Sequence, residues 1–259
     1  MLGMVTNNTK RQQWLFADVG IAMALVAWWL YAQDVADFVL PDPLEVFLAG
    51  GMLVWDKETL AHVLVSVARV FVSVFVSVVV ALVLTYLMRL STSILVLIER
   101  NLLVLLNSFP SVGWAILGVI WFSVSPGTVV FIEIMIVLPF CLINTLQGYR
   151  SMDKEVIEMA SSFSRNPWRR FLKIELPLMT PFLVAGARIG YGIAWKIALV
   201  AELFGAQSGL GWLLQQAQSR ADAASVLATC LIIVLLFSLG DSLLLKPLAR
   251  RFSTNQQLI

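Results

Sequence analysis

Val70-Phe71-Val72-Ser73-Val74-Phe75-Val76-Ser77-Val78-Val79-Val80-Ala81-Leu82-Val83-Leu84 carries no charge, and it is the middle of an apolar run over residues 62–88. A helix rises about 1.5 Å per residue, so about 20 apolar residues cross a hydrocarbon core about 30 Å thick. Five more runs approach or exceed that length, at approximately 15–33, 101–122, 127–147, 178–202 and 224–246. They are long and unbroken rather than alternating in short strands, which predicts membrane-crossing helices and argues against a barrel.

Composition agrees. The chain is 59% hydrophobic and 13% charged, against about 25% charged for a soluble domain. Lys10 and Arg11 precede the first run as in a secretory signal, but that run continues through Trp28, Trp29 and Tyr31 without a small-residue cleavage site. A retained first helix is expected. Cys141, Cys230 and the single histidine, His62, form neither a disulfide framework nor a zinc or redox motif.

Basic residues near helix ends stay on the cytoplasmic side. Alternating assignment puts Lys10, Arg11, Arg89, Arg100, Arg150, Lys154, Arg165, Arg169, Arg170, Lys173, Lys246, Arg250 and Arg251 on one side. The other side holds Lys57 and Arg220, with Asp34, Asp37, Asp42, Glu45, Asp56 and Glu58. Six spans with both termini cytoplasmic are therefore expected. The net charge of +2 reflects this topology, and no nucleic-acid partner is inferred from it.

No repeat or appended soluble domain interrupts the chain, so residues 1–259 read as one transmembrane domain. In the outer segment 34–61, Leu40-Pro41-Asp42-Pro43-Leu44-Glu45-Val46-Phe47 predicts an extended approach to a short amphipathic helix. The cytoplasmic segment 148–177 reads as helix, turn, helix. Asp153 can cap the first helix, Glu155 complements its dipole, and Asn166-Pro167 marks a fresh start. Ile157, Ala160 and Phe163 share one stripe, and Trp168, Phe171 and Leu172 another. Such a pair can be a docking surface or lie on lipid headgroups.

Glu158-Met159-Ala160, three residues, Ser164, nine residues and Ile174-Glu175-Leu176-Pro177 fall in this segment. The spacing resembles the cytoplasmic loop of ABC importer permeases, E-A-A, three residues, G, nine residues, I-x-L-P. Met159 replaces the usual Ala. Ser164 replaces a Gly, the residue that adopts a left-handed turn without a Cβ penalty. Leu40-Pro41-Asp42-Pro43, Ser66-Val67-Ala68-Arg69-Val70, Trp121-Phe122, Ala201-Glu202-Leu203-Phe204 and Gly209-Leu210-Gly211 extend the resemblance to the nitrate, sulfonate and taurine-type permeases.

The resemblance implies an all-α integral membrane protein of the bacterial inner membrane, with a coupling helix pair between helices 4 and 5. It implies as partners two ATPase subunits, a second permease copy and an extracytoplasmic solute-binding protein delivering a small anion or related metabolite. ATP and magnesium would be used by the partner ATPase, with no cofactor or metal held by this chain. The ATPase-coupling residues carried over are Glu158, Ala160, Ser162, Phe163, Ser164, Arg165, Asn166, Ile174, Leu176 and Pro177. The turn from Ser162 to Asn166 would be the tip, with Phe163 its apolar anchor, Arg165 a charge partner and Glu158 its support.

Ionisable residues inside spans cost several kcal/mol unless paired or wetted, which makes Arg69, Glu133, Arg188, Lys196 and Asp241 candidates. Asp18 and Glu202 lie near helix ends. Arg69, Glu133 and Lys196 each fall about 10 Å below the outer surface, at a depth where they could pair with one another or line a path. On the fifth span, Gly186, Gly190 and Ala194 form a small-residue stripe suited to close packing. Arg188, Gly192, Trp195 and Glu202 fall near the opposite side, where a substrate path is expected. Pro110 and Pro139 should kink or break their helices.

There is no G-x-x-x-x-G-K-[ST], G-x-S-x-G or H-E-x-x-H, and no pair of catalytic carboxylates. ATP must therefore bind elsewhere if it drives this protein, and an enzyme has no visible active site. The alternative function is a stand-alone secondary transporter or channel, which has no need of a shaped cytoplasmic loop.

Overall fold

A computed structural model describes residues 2–163 and 166–253, and these are helical apart from short turns. In chain order the helices are α1 (Leu2–Ala32), α2 (Pro43–Trp55), α3 (Lys57–Leu90), α4 (Thr92–Ser108) and α5 (Ser111–Phe122). There follow α6 (Pro126–Arg150), α7 (Lys154–Phe163), α8 (Pro167–Gly205), α9 (Leu210–Ser219) and α10 (Ala223–Phe252). The chain groups into two compact units, residues 1–60 with 214–232, and residues 61–213 with 233–259.

Among the described residues, α3, α6, α8 and α10 are each long and apolar enough to cross a membrane. The pair α4 and α5 passes together but is bent by 92°. The span expected over 101–122 is therefore broken, as Pro110 suggested. Pro110 sits at the break in extended backbone, where its missing N–H and its effect on Phe109 end α4 and start α5. Pro139 does not break α6, which runs unbroken from Pro126 to Arg150.

Several starts follow one local rule. Asp42, Ser125 and Asn166 each accept backbone N–H bonds through the side chain, and each is followed by a proline in the first helical turn. Asp153 Oδ1 likewise accepts from Glu155 N–H at 3.0 Å ahead of α7. In the first unit, α3 begins five residues before the apolar run. Asp56 supplies the reason, since its carboxylate accepts both the N–H and the hydroxyl of Thr59 at 3.0 Å. Those bonds, the backbone one foremost, hold its carboxyl below the usual carboxylate range.

Pro177 and Pro247 both lie within helices that continue past them. The second short helix of the 148–177 segment is not separate, because Pro167–Arg170 runs through a π-turn at Phe171–Glu175 into Leu176–Gly205. A π-turn at Asp241–Leu245 precedes Pro247 in the same way. Widening the turn just before a proline absorbs its missing N–H without a break.

The core of the second unit is α6 against α8. An added Cβ at Gly186 would stand 3.0 Å from Asn144 Cβ, and one at Gly190 would stand 2.8 Å from Val137 Cγ1. The small-residue stripe therefore meets α6. Dispersion at that distance, rather than hydrophobic transfer, holds helices together in lipid.

Candidate functional site

At the start of α8 the side chain of Asn166 caps the helix, accepting from Trp168 and Arg169 N–H at 3.0 and 3.3 Å. On α7 the hydroxyl of Ser162 donates to the backbone carbonyl of Glu158 at 3.3 Å, and both residues are exposed. Ile174 and Leu176 are half-buried and Pro177 is exposed. The side chains of Ala160 and Phe163, and the whole of Ser164 and Arg165, lie outside the described residues.

The residue that anchors this segment is Glu175, the variable position of the motif. Its side chain is 1% exposed, with Arg170 Nε donating to Oε1 at 3.1 Å. Arg89 Nη1, from the end of α3, stands 3.0 Å from Oε2, in ionic contact although out of line for a hydrogen bond. Tyr86 of α3 adds an aromatic contact, its ring 5.3 Å from Trp168 and 4.9 Å from Phe171 in edge-to-face geometry. One buried carboxylate thus ties the start of α8 to the end of α3.

A second clamp joins the same two helices at their other ends. Arg69 Nη1 donates to Glu202 Oε1 at 2.9 Å and to the carbonyl of Ser208 at 2.7 Å, while Nη2 donates to Ser208 Oγ at 2.8 Å. Ser66 Oγ lies 2.7 and 2.9 Å from the two Glu202 oxygens and accepts from Leu210 N–H at 2.8 Å. Gly211 N–H donates to Glu202 Oε2 at 2.8 Å, and Gly209 N–H to His62 Nδ1 at 3.0 Å. Gly209 has φ +111°, and a Cβ there would fall 2.2 Å from Glu202 Oε1, so the turn accepts only glycine.

Arg69 therefore pairs with Glu202 and not with Glu133 or Lys196. Counting along helices gives depth but not azimuth, so equal depth did not identify the partner of Arg69. Lys196 is exposed. Glu133 is fully buried, and neither carboxyl oxygen has a hydrogen-bond donor in place. Ser73, a polar side chain that acts on it, gives its hydroxyl to the carbonyl of Val70 at 3.0 Å. Trp195 is buried, while Arg188 is exposed and paired with Asp241 at 2.8 Å. The proposed polar stripe of α8 thus divides into a buried part and an exposed part.

None of this forms an enclosed ligand cavity or a catalytic array among the described residues. What the arrangement can do is hold two long helices as one body while presenting α7 and the start of α8 at one end. The family model described as "Binding-protein-dependent transport system inner membrane component" matches residues 46–253, from α2 to the last turn of α10. The chain belongs to that family. It is a multi-pass inner-membrane permease subunit of an ABC importer, a transport component rather than a catalytic one.

The taurine transport system permease protein TauC of Escherichia coli is 26% identical to this permease over 240 residues, 90% of this chain and 86% of its own. SsuC of the same organism, assigned as an aliphatic sulfonates transport permease, is 28% identical over 238 residues, 90% of each chain. The riboflavin transport system permease protein RibX of Chloroflexus aurantiacus is 33% identical over 147 residues, 56% of this chain and 55% of its own. Membership brings with it an ATPase and a solute-binding protein as partners.

Glu175 escaped sequence reasoning because the motif leaves its position free. A carboxylate among Arg169, Arg170 and Lys173 at the mouth of an apolar span was the signal available. The Glu202 clamp gathers three stretches that resembled the family separately, Ser66 to Val70, Ala201 to Phe204 and Gly209 to Gly211.

Proposed function

We propose that this permease works as a single transmembrane domain of six spans with both termini cytoplasmic, pairing with a second copy around a central path. Two ATPase subunits, using ATP and magnesium, would engage α7 and the start of α8 from below. Glu158, Ala160, Ser162, Phe163, Ser164, Arg165 and Asn166 are the contact and turn residues in this reading, with Ile174, Leu176 and Pro177 joining the contact to the span. The substrate is a small sulfonate or related anion, a reading supported by the taurine and sulfonate relatives. Arg188, Trp195 and Lys196 are path candidates, whereas the bonding of Arg69 and Glu202 favours a structural role for both. Glu133 is the remaining path candidate.

The observation that carries the coupling is the Glu175 clamp. A push on a short surface helix moves a span only if the two are joined rigidly, and a buried carboxylate between Arg170 and Arg89 makes that joint. The second clamp at Glu202 lies about 40 Å further along α8, so α3 and α8 move together along their length. Removing one member of a buried pair leaves a charge uncompensated, at about 3–5 kcal/mol.

The test is reconstitution of Glu158→Ala and Glu175→Gln permeases with ATPase subunits and binding protein in liposomes. Glu158→Ala should weaken ATPase co-purification, and Glu175→Gln should keep the ATPase yet hydrolyse ATP without uptake. Normal uptake by both would remove this segment from the coupling route.

A further inference from the structure

Arg188, Asp241 and Lys246 meet in the membrane-spanning part of the second unit. Arg188 Nε and Nη2 donate to Asp241 Oδ1 and Oδ2 at 2.8 and 3.3 Å, and Lys246 Nζ stands 3.1 Å from Oδ2. Two cations share one anion. Arg188 lies inside the apolar run 178–202, whereas Asp241 and Lys246 close the run 224–246 at its expected cytoplasmic end, so the trio sits toward that end of the two helices.

The trio is not sealed in. The Arg188 and Lys246 side chains are 42% and 47% exposed, and Asp241 13%. A groove of about 460 Å³ lies beside Arg188, its other walls Pro181, Ala185, Ile189 and Ala249. Half-exposed charges with one net positive charge are costly against hydrocarbon, which favours a groove that opens on water or on another protein. Asp241 is also the first residue of a π-turn, a form of irregular helix frequent at functional sites.

We infer that Arg188, Asp241 and Lys246 form an anion-exchange site for the sulfonate head of the substrate, with Asp241 holding the two cations between turnovers. This rests on the reading that the substrate is a sulfonate-type anion. The site carries one positive charge in excess, which suits a singly charged anion. An incoming sulfonate takes over Arg188 and Lys246 from the carboxylate, and departs when the carboxylate recovers them. The trio is then neutral with substrate present and carries one positive charge without it, so it attracts a single anion and Asp241 competes for the cations on release. The remaining walls are apolar, as fits a substrate with a short organic tail.

The test uses the complete complex, with permease, ATPase subunits and binding protein in liposomes and labelled taurine or an alkanesulfonate as probe. Arg188→Gln should cut uptake at least tenfold while the complex still assembles, and Arg188→Lys should keep at least half of it. Asp241→Asn should slow uptake while leaving more labelled sulfonate bound per complex. Wild-type uptake by Arg188→Gln would overturn the site. So would rescue of Arg188→Gln by adding Asp241→Asn, because recovery on removing both charges marks a helix-to-helix tie. If the wild-type complex takes up riboflavin but no sulfonate, the anion reading itself fails, and the site with it.

Discussion

Arg69 holds Glu202 at 2.9 Å, and on the same helix Arg89 holds Glu175 at 3.0 Å, so α3 and α8 run antiparallel and are tied near both ends. About 30 Å of α3 separates the two arginines. Both carboxylates are 1% exposed, which places the ties out of reach of screening by salt.

The Glu202 clamp should dominate the stability of the loop between α8 and α9. Arg69→Ala leaves the carboxylate buried and only partly satisfied, and should destabilise the detergent-solubilised permease by about 3 kcal/mol. Gly209→Ala should act in the same direction, since its Cβ would collide with Glu202 and its φ is positive. Thermal unfolding followed by tryptophan fluorescence measures both. Unchanged midpoints would show that the loop yields and that the clamp holds little.

Helix packing offers a matched comparison on α8. Gly190→Ala puts a Cβ 2.8 Å from Val137 Cγ1 and should loosen α6 from α8, whereas at Gly192 the nearest atom is Phe237 Cε2, at 3.7 Å. Gly192→Ala should therefore be tolerated. Yield of folded permease after extraction should fall for the first variant and not for the second. Equal yields would place the small-residue stripe outside the packing core.

Much of this was legible in the chain, and the reasons for the exceptions are physical. Runs such as 62–88 declare spans because water-to-lipid transfer depends only on composition over length. Caps such as Asn166-Pro167 are local and were read correctly. Pairing is not local. Arg69 and Glu202 are separated by more than half the chain, and nothing in their spacing says that α3 and α8 lie side by side. Prolines were only partly informative. Pro110 broke its helix, whereas the chain passed Pro177 by a π-turn whose residues carry no special composition.

The topology proposed from the basic residues is open to direct labelling. With Cys141 and Cys230 replaced, single cysteines near Asp56 and Asp222 should react with an impermeant maleimide in sealed cells, and one at Arg170 should react only after permeabilisation. Labelling at Arg170 in sealed cells would invert the arrangement and remove the ATPase from that face.

In the proposed cycle, α7 and the start of α8 receive the work of the ATPase. The most direct measurement is a single cysteine at Ser162, exposed on the last turn of α7, treated with a short bifunctional reagent in the assembled complex. A covalent link to the ATPase subunit is expected, with loss of ATP-dependent uptake once it forms and recovery of uptake when a cleavable reagent is reduced. A complex in which Ser162→Cys links only to lipid, while the ATPase stays bound and uptake continues, would contradict it.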